Sequence, residues 1–146
     1  MFKNILVPVD GSEYSCNAAK AATSMGEKYG GKVTFLHVIA KSLDANLNIQ
    51  DKHEILLEKI TALRLEGYEI LEKAIQNSSK DTVETKAILS WGNPADIILE
   101  KTEENKYDLI VMGNRGLGAI KGLLLGSVSE KVIKSIRCPV MIVKDL

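Results

Sequence analysis

Short apolar runs rich in β-branched residues alternate along this chain with longer stretches of helical periodicity. That alternation limits the possible folds more than any other feature. Strands separated by helix-length segments cannot pair as tight hairpins, so they are expected to lie parallel, with helices crossing over the sheet. The first strand is expected over Asn4–Val9 (NILVPV), a nearly continuous apolar run suited to a strand covered on both faces. Pro8 lacks an N–H but is tolerable at the strand's end. Ser12 is placed to cap a helix reaching about Tyr29, with Ala18, Ala22 and Met25 on one side. Gly30-Gly31 ends it, and Val33–Ile39 (VTFLHVI) reads as the second strand.

Lys41 to Asp51 is polar and irregular, and a loop or a poorly fixed turn of helix is expected there. A long amphipathic helix follows, with Leu56, Ile60, Leu63, Leu71 and Ala74 near 3.6-residue spacing and Gly67 as an apparent interruption. Thr82–Leu89 is expected to be the third strand, and its alternating pattern suits a sheet edge. Asn93-Pro94 supplies a cap and a first-turn proline for a helix to about Thr102. Asp108–Met112 (DLIVM) is the fourth strand, Ser127–Ile136 the last helix and Val140–Val143 the fifth strand. The expected architecture is one α/β domain over the 146 residues, doubly wound, its five-stranded parallel sheet in the order 3-2-1-4-5 with helices on both faces.

Ligands of such sheets bind beyond the carboxyl ends of the strands, where the strand order reverses. Two strand ends carry suitable chemistry. Pro8-Val9-Asp10-Gly11-Ser12 follows strand one, and the run GNRGLGAIKGLLLGSVSEK follows strand four. The second run holds five glycines between Gly113 and Gly126, which let the backbone approach an anion, and it ends in Gly126-Ser127 at a helix start. From Gly113 to Cys138 the charge is +4, from Arg115, Lys121, Lys131, Lys134 and Arg137 against Glu130, in a chain of zero net charge. Neither GxxxxGK[ST] nor GxGxxG fits: Lys121 precedes Gly122, and the glycine after Gly116-x-Gly118 comes one place late.

Gly113-x2-Gly116-x9-Gly126-Ser127 does resemble the ATP-binding signature of the universal stress protein family, and ILVPVDGSE, LHV and CPVMIV extend the resemblance over the whole chain. The resemblance implies a nucleotide-binding domain over residues 1–146 that holds ATP, with any Mg2+ bound through its phosphates. Gly113, Gly116 and Gly126 would shape the loop around ribose and phosphates, and Ser127, Val128 and Ser129 would meet the phosphates. Asp10, Pro8 and Val9 would line the adenosine end, Val38 would offer backbone contacts to adenine, and Met112 and Arg115 would complete the site. Asn114 stands where the family often has serine. The resemblance also implies a homodimer paired through the C-terminal strand, and a regulatory role read by a protein partner that the sequence does not name.

Other readings of the same residues need no ligand. Ser127-x-x-Glu130 matches a capping box, and Asp10 can serve as a turn residue. Leu123-Leu124-Leu125 is expected to pack the loop against the domain, and Trp91 to cover the core. His37, inside strand two, is expected to be packed and hydrogen-bonded, and His53 to be solvated. With these two histidines far apart, no Ser-His-Asp or Cys-His arrangement is available, so a slow ATPase or phosphotransferase stands only as the alternative to a binding protein. A scaffold with structural nucleotide is a third reading. Zero net charge argues against a nucleic-acid partner, and the lack of a long apolar run argues against a membrane-spanning helix. The opening MFKNILVPVDGSE is too short in its apolar stretch for a signal peptide. Cys16 and Cys138 form no disulfide or metal pattern, so a cytoplasmic location is expected.

Overall fold

The computed structural model describes residues 1–40 and 52–144; the loop expected over Lys41–Asp51 lies outside them. Nine elements alternate: β1 Asn4–Pro8, α1 Glu13–Tyr29, β2 Lys32–Ile39, α2 Lys52–Ser78, β3 Thr85–Trp91, α3 Pro94–Asn105, β4 Leu109–Gly113, α4 Ser127–Ser135 and β5 Val140–Val143. The five strands form one parallel sheet, as the alternation predicts, and its order β3-β2-β1-β4-β5 is the one expected for the doubly wound class. The order reverses between β1 and β4, where Ile5 pairs with Leu109 and Leu6 with Ile110.

Successive strand residues point to opposite faces, so the apolar runs feed two cores at once. On one face Ile5, Val7, Val33, Phe35 and Val111 pack with Ala18 and Ala22 of α1 and Leu71 and Ala74 of α2. On the other, Leu6, Leu36, Ile110 and Met112 pack with Ala95 and Ile98 of α3 and Val132 of α4. The alanines of α1 let that helix lie close to the sheet. Gly113 extends the approach: a Cβ there would come within 2.7–2.9 Å of Tyr14.

Three local expectations are corrected. β3 runs from Thr85 to Trp91 and not from Thr82 to Leu89, because Thr82 and Val83 are used in the turn after α2, closed by Val83 N to Lys80 O (2.9 Å). The strand then persists until Trp91 pairs with Ile39. Gly67 does not interrupt α2. It marks the helix's close approach to the sheet, where a Cβ would meet Leu89 Cδ1 at 2.6 Å. Glu130 forms no capping box with Ser127: Gly126 is the N-cap of α4, no side chain caps that end, and Glu130 pairs with Lys134 at 2.6 Å.

Candidate functional site

The chain leaves β1 through a turn built by Asp10. Its Oδ1 accepts from Ser12 N at 2.9 Å and from the Ser12 hydroxyl, while Ser12 caps α1 by accepting from Ser15 N. Asp10 is therefore a turn residue, as the ligand-free reading has it. Its second oxygen, however, reaches the other loop, accepting from Leu117 N at 3.1 Å. Gly116 is what allows this, since any Cβ there would collide with Asp10 Oδ2. The two strand-end loops are thus joined across the crevice by one carboxylate.

The glycine-rich loop leaves β4 at Asn114 and returns to it at Gly126. Gly126 N donates to Asn114 O (2.7 Å), the Ser129 hydroxyl donates to the same carbonyl (3.0 Å), and Asn114 Nδ2 donates to Leu124 O (3.1 Å). Buried Asn114 is therefore the clasp at the neck of the loop, a role its amide can play where serine would be too short to reach. Leu123 and Leu124 do not pack the loop down as expected; they are 50% and 61% exposed, with Leu117 and Ile120 also exposed. Trp91 is half-buried at the end of β3.

Between these loops lies a cavity of about 420 Å³. It is lined by Pro8, Val9, Asp10, Val38, Met112, Gly113, Arg115, Gly116, Gly126, Ser127, Val128 and Ser129, so the structure brings all of the sequence candidates together. Their contributions differ from those expected. Gly113 answers to the packing of Tyr14, and the Ser129 hydroxyl is committed to Asn114 and Gly126, leaving the Ser129 backbone amide for a ligand. Ser127 is exposed at the first position of α4, and its side chain makes no cap. The first amides of any helix lack intrahelical acceptors. At α1 and α3 the side chains of Ser12 and Asn93 supply one; at α4 nothing does. The positive end of the α4 dipole therefore opens on the cavity.

Arg115 adds a second unsatisfied donor. Its Nε is buried at the cavity wall without a partner; Asn114 Oδ1, at the neck of the loop, is also buried and unpaired. Lys131 pairs instead with Asp96 at 2.7 Å and Lys134 with Glu130, so part of the positive charge counted along this segment is neutralised locally. The opposite wall is apolar, formed by Leu36, Ala40, Ile98 and Pro94, none of which the sequence singled out as a site residue. Their common signal is position, at strand carboxyl ends or the start of a helix facing the crevice. His37 also lines the cavity and is hydrogen-bonded as expected, its Nδ1 lying 2.8 Å from Val9 O. A carbonyl can only accept, so Nδ1 carries the proton and His37 props the β1 loop. Of the cysteines, Cys138 donates to Tyr107 O, and burial pushes its thiol up from the ordinary value, which keeps it protonated at neutral pH. Among the described residues no group of three His, Cys, Asp or Glu could hold a metal, and no helix is long and apolar enough to cross a membrane.

Comparison with known proteins gives concordant results. The sequence profile of the universal stress protein family matches residues 1–144. A universal stress protein of Methanocaldococcus jannaschii is 36% identical over 144 residues, covering 99% of this chain and 83% of that protein. A solved structure of a hypothetical protein, given its biochemical function from its structure, superposes with a TM-score of 0.83 at 32% identity. The match covers 100% of this chain and 98% of the other. A universal stress protein solved in complex with cAMP superposes with a TM-score of 0.65 at 27% identity, covering 96% of this chain and 94% of its own.

Proposed function

The chain belongs to the universal stress protein family, and from that premise we propose that it binds ATP in the crevice between β1 and β4 and acts as a nucleotide-dependent regulatory protein. The observation that carries this reading is the uncapped amino terminus of α4, a nine-residue helix that opens on the cavity while α1 and α3 carry side-chain caps. A phosphate oxygen accepts from free amides in the way that a capping hydroxyl does, with the helix dipole added. The buried, partnerless Arg115 Nε supports an anion at the same place. The adenine nucleotide held by the cAMP-bound relative supports the choice of base.

In this reading Ser127, Val128 and Ser129 hold phosphates through backbone N–H groups, with the free Ser127 hydroxyl as a further donor. Asp10 accepts from ribose hydroxyls, and Pro8, Val9, Val38 and the Leu36–Ile98 wall enclose the base. Any Mg2+ arrives on the phosphates. ATP contributes the negative charge that the α4 terminus and Arg115 lack. Binding thereby ties together the two loops that Asp10 already bridges. The exposed Leu117, Ile120, Leu123 and Leu124 put that ordering on the surface, where a partner can read it. Titration of ATP into the purified protein followed by calorimetry should give saturable binding, and the nucleotide should remain ATP after prolonged incubation. Absence of saturable heat defeats the binding claim, and steady accumulation of ADP defeats the regulatory one.

A further inference from the structure

α2 is longer than the sheet it packs on. Its second half, with Leu71 and Ala74, enters the core, and Gly67 marks where the helix reaches the carboxyl ends of β2 and β3, against Ile39 and Leu89. The residues before Gly67 run on past that edge, and the fifteen from Lys52 to Glu66 span about 22 Å at 1.5 Å each. No side chain from His53 to Glu66 is buried.

A helix that stands clear of its core normally turns polar residues to solvent. Here Leu57 is 55% exposed, Leu65 60% and Tyr68 55%. Scattered singly, such residues need no explanation, but these three share one face. At about 100° per residue, Leu57, Thr61, Leu65 and Tyr68 fall within a stripe about 80° wide. Ile70, which abuts Gly11 at the entry to α1, lies on the opposite side of the helix, so the stripe faces away from α1. Thr61, within the stripe, spends its hydroxyl on Leu57 O at 2.8 Å and asks for no outside partner.

The stripe is self-complementary about Thr61. Leu57 and Leu65 stand four residues either side of it, and Glu54 and Tyr68 seven. A second helix laid antiparallel, with a two-fold axis at Thr61, sets Leu57 against the partner's Leu65, and the Tyr68 hydroxyl, a donor, against the partner's Glu54 carboxylate. Leu57, Leu65 and Tyr68 offer about 300 Å² of apolar surface on each copy. With Glu54, Glu58, Thr61 and Arg64 the pair buries about 1,200 Å² in all, the low end of what a stable interface needs. We propose that this stripe is a self-association surface, and that its occupant is the same stripe of a second copy of this chain. α2 lies over β2 and β3, across the sheet from the β5 edge, so the contact is separate from any pairing there and independent of the nucleotide reading.

The test is disulfide trapping in the whole chain. Thr61→Cys, in a background where Cys16 and Cys138 are replaced by serine, puts one thiol on the axis beside its own copy. Under oxidation it should form covalent dimers at least tenfold faster than Lys73→Cys, which is also exposed but on another face of α2. Adding Leu57→Glu to the Thr61→Cys chain should slow trapping at least tenfold, and so should adding Leu65→Lys. Both together should restore it to within about threefold, because the two introduced charges meet only across the two-fold and never within one helix. All these side chains are exposed, so each variant should keep the parent's melting temperature. Trapping reports this contact alone, whatever pairing occurs elsewhere on the molecule. Equal trapping of Thr61→Cys and Lys73→Cys would overturn the proposal and leave the stripe to a helix of another protein. A combined variant as slow as either single one would overturn it as well, since the antiparallel register requires the rescue.

Discussion

Asp10 is the residue on which the crevice turns, because its two oxygens serve different loops: Oδ1 shapes the entry to α1 and Oδ2 holds Leu117 N. Replacing it by alanine should cost nucleotide affinity by about 1–3 kcal/mol, the range for hydrogen bonds to a charged group. The loss should be equal for ATP and AMP, because the proposed orientation sets Asp10 at the ribose and not at the phosphates. Ser127→Ala should instead weaken ATP more than AMP. Titrations crossing both variants with both nucleotides decide it, and a phosphate-dependent loss confined to Asp10→Ala would reverse the proposed orientation. The glycines separate in the same way. A methyl at Gly116 must displace the Asp10 carboxylate, whereas one at Gly126 meets Arg115 Cα at 3.4 Å, Asn114 O at 3.7 Å and Gly116 N at 3.8 Å, ordinary contacts at an ordinary φ of −81°. Gly126→Ala should therefore leave the melting temperature of the free protein unchanged and weaken ATP, while Gly116→Ala should disturb the loop even without nucleotide. Identical ATP affinity in Gly126→Ala would remove that position from the phosphate site.

Among the elements, β5 carries the sharpest prediction. It is a terminal strand with one neighbour, β4, and three of its four residues are only half-buried. Ile110 N donates to Pro139 O and Asn114 N to Val143 O, so the odd-numbered residues of β5 turn their backbone groups towards β4. In a parallel pair the intervening residues face the other way, and Val140 and Ile142 thus present theirs to the open edge. An apolar edge of this kind invites pairing with a second copy, and a two-fold axis makes that pairing antiparallel. Ile142→Pro should then give a monomer with the β4–β5 ladder intact, because it removes only an outward-facing donor. Light scattering at micromolar concentration is the measurement; a monomeric parent protein refutes the edge as an interface. α2 makes the complementary point about elements: its glycine sits mid-helix because Leu89 leaves no room for a methyl.

Across the whole molecule, the sheet divides two cores, and the crevice proposed for nucleotide is the gap where their helices part. β1 and β4 belong to both cores, and the cavity draws its walls from β1, β2, α3, β4 and α4. A ligand there binds the assembled fold and not the unfolded chain, so it adds RT ln(1 + [L]/Kd) to stability. At a hundredfold excess over Kd that is about 2.7 kcal/mol, or a rise in melting temperature of about 5–10 °C for a chain of this size. Thermal unfolding with and without ATP reads this directly. No rise at saturating ATP would mean that the nucleotide does not engage the native crevice.

The residue order by itself determined the β/α alternation, the parallel sheet and the two strand ends that carry site chemistry, because periodicity and punctuation are local properties of the chain; that these ends meet follows from β1 lying beside β4 in the folded sheet. The spacing of Gly113, Gly116, Gly126 and Ser127 was likewise legible, and the positions chosen from it line one cavity. What local pattern cannot carry is which of several available partners a group takes. Ser127 and Glu130 have capping-box spacing, but Glu130 found Lys134, and the N-cap position falls on Gly126, with Ser127 already the first helical residue. Gly67 and Gly113 look like flexible points in sequence, and only the packed sheet shows that Leu89 and Tyr14 occupy the space their side chains would need. The apolar wall of Leu36, Ala40 and Ile98 arises from where β2 ends and α3 crosses it. Those are distances between segments far apart in the chain, and tertiary packing alone decides them.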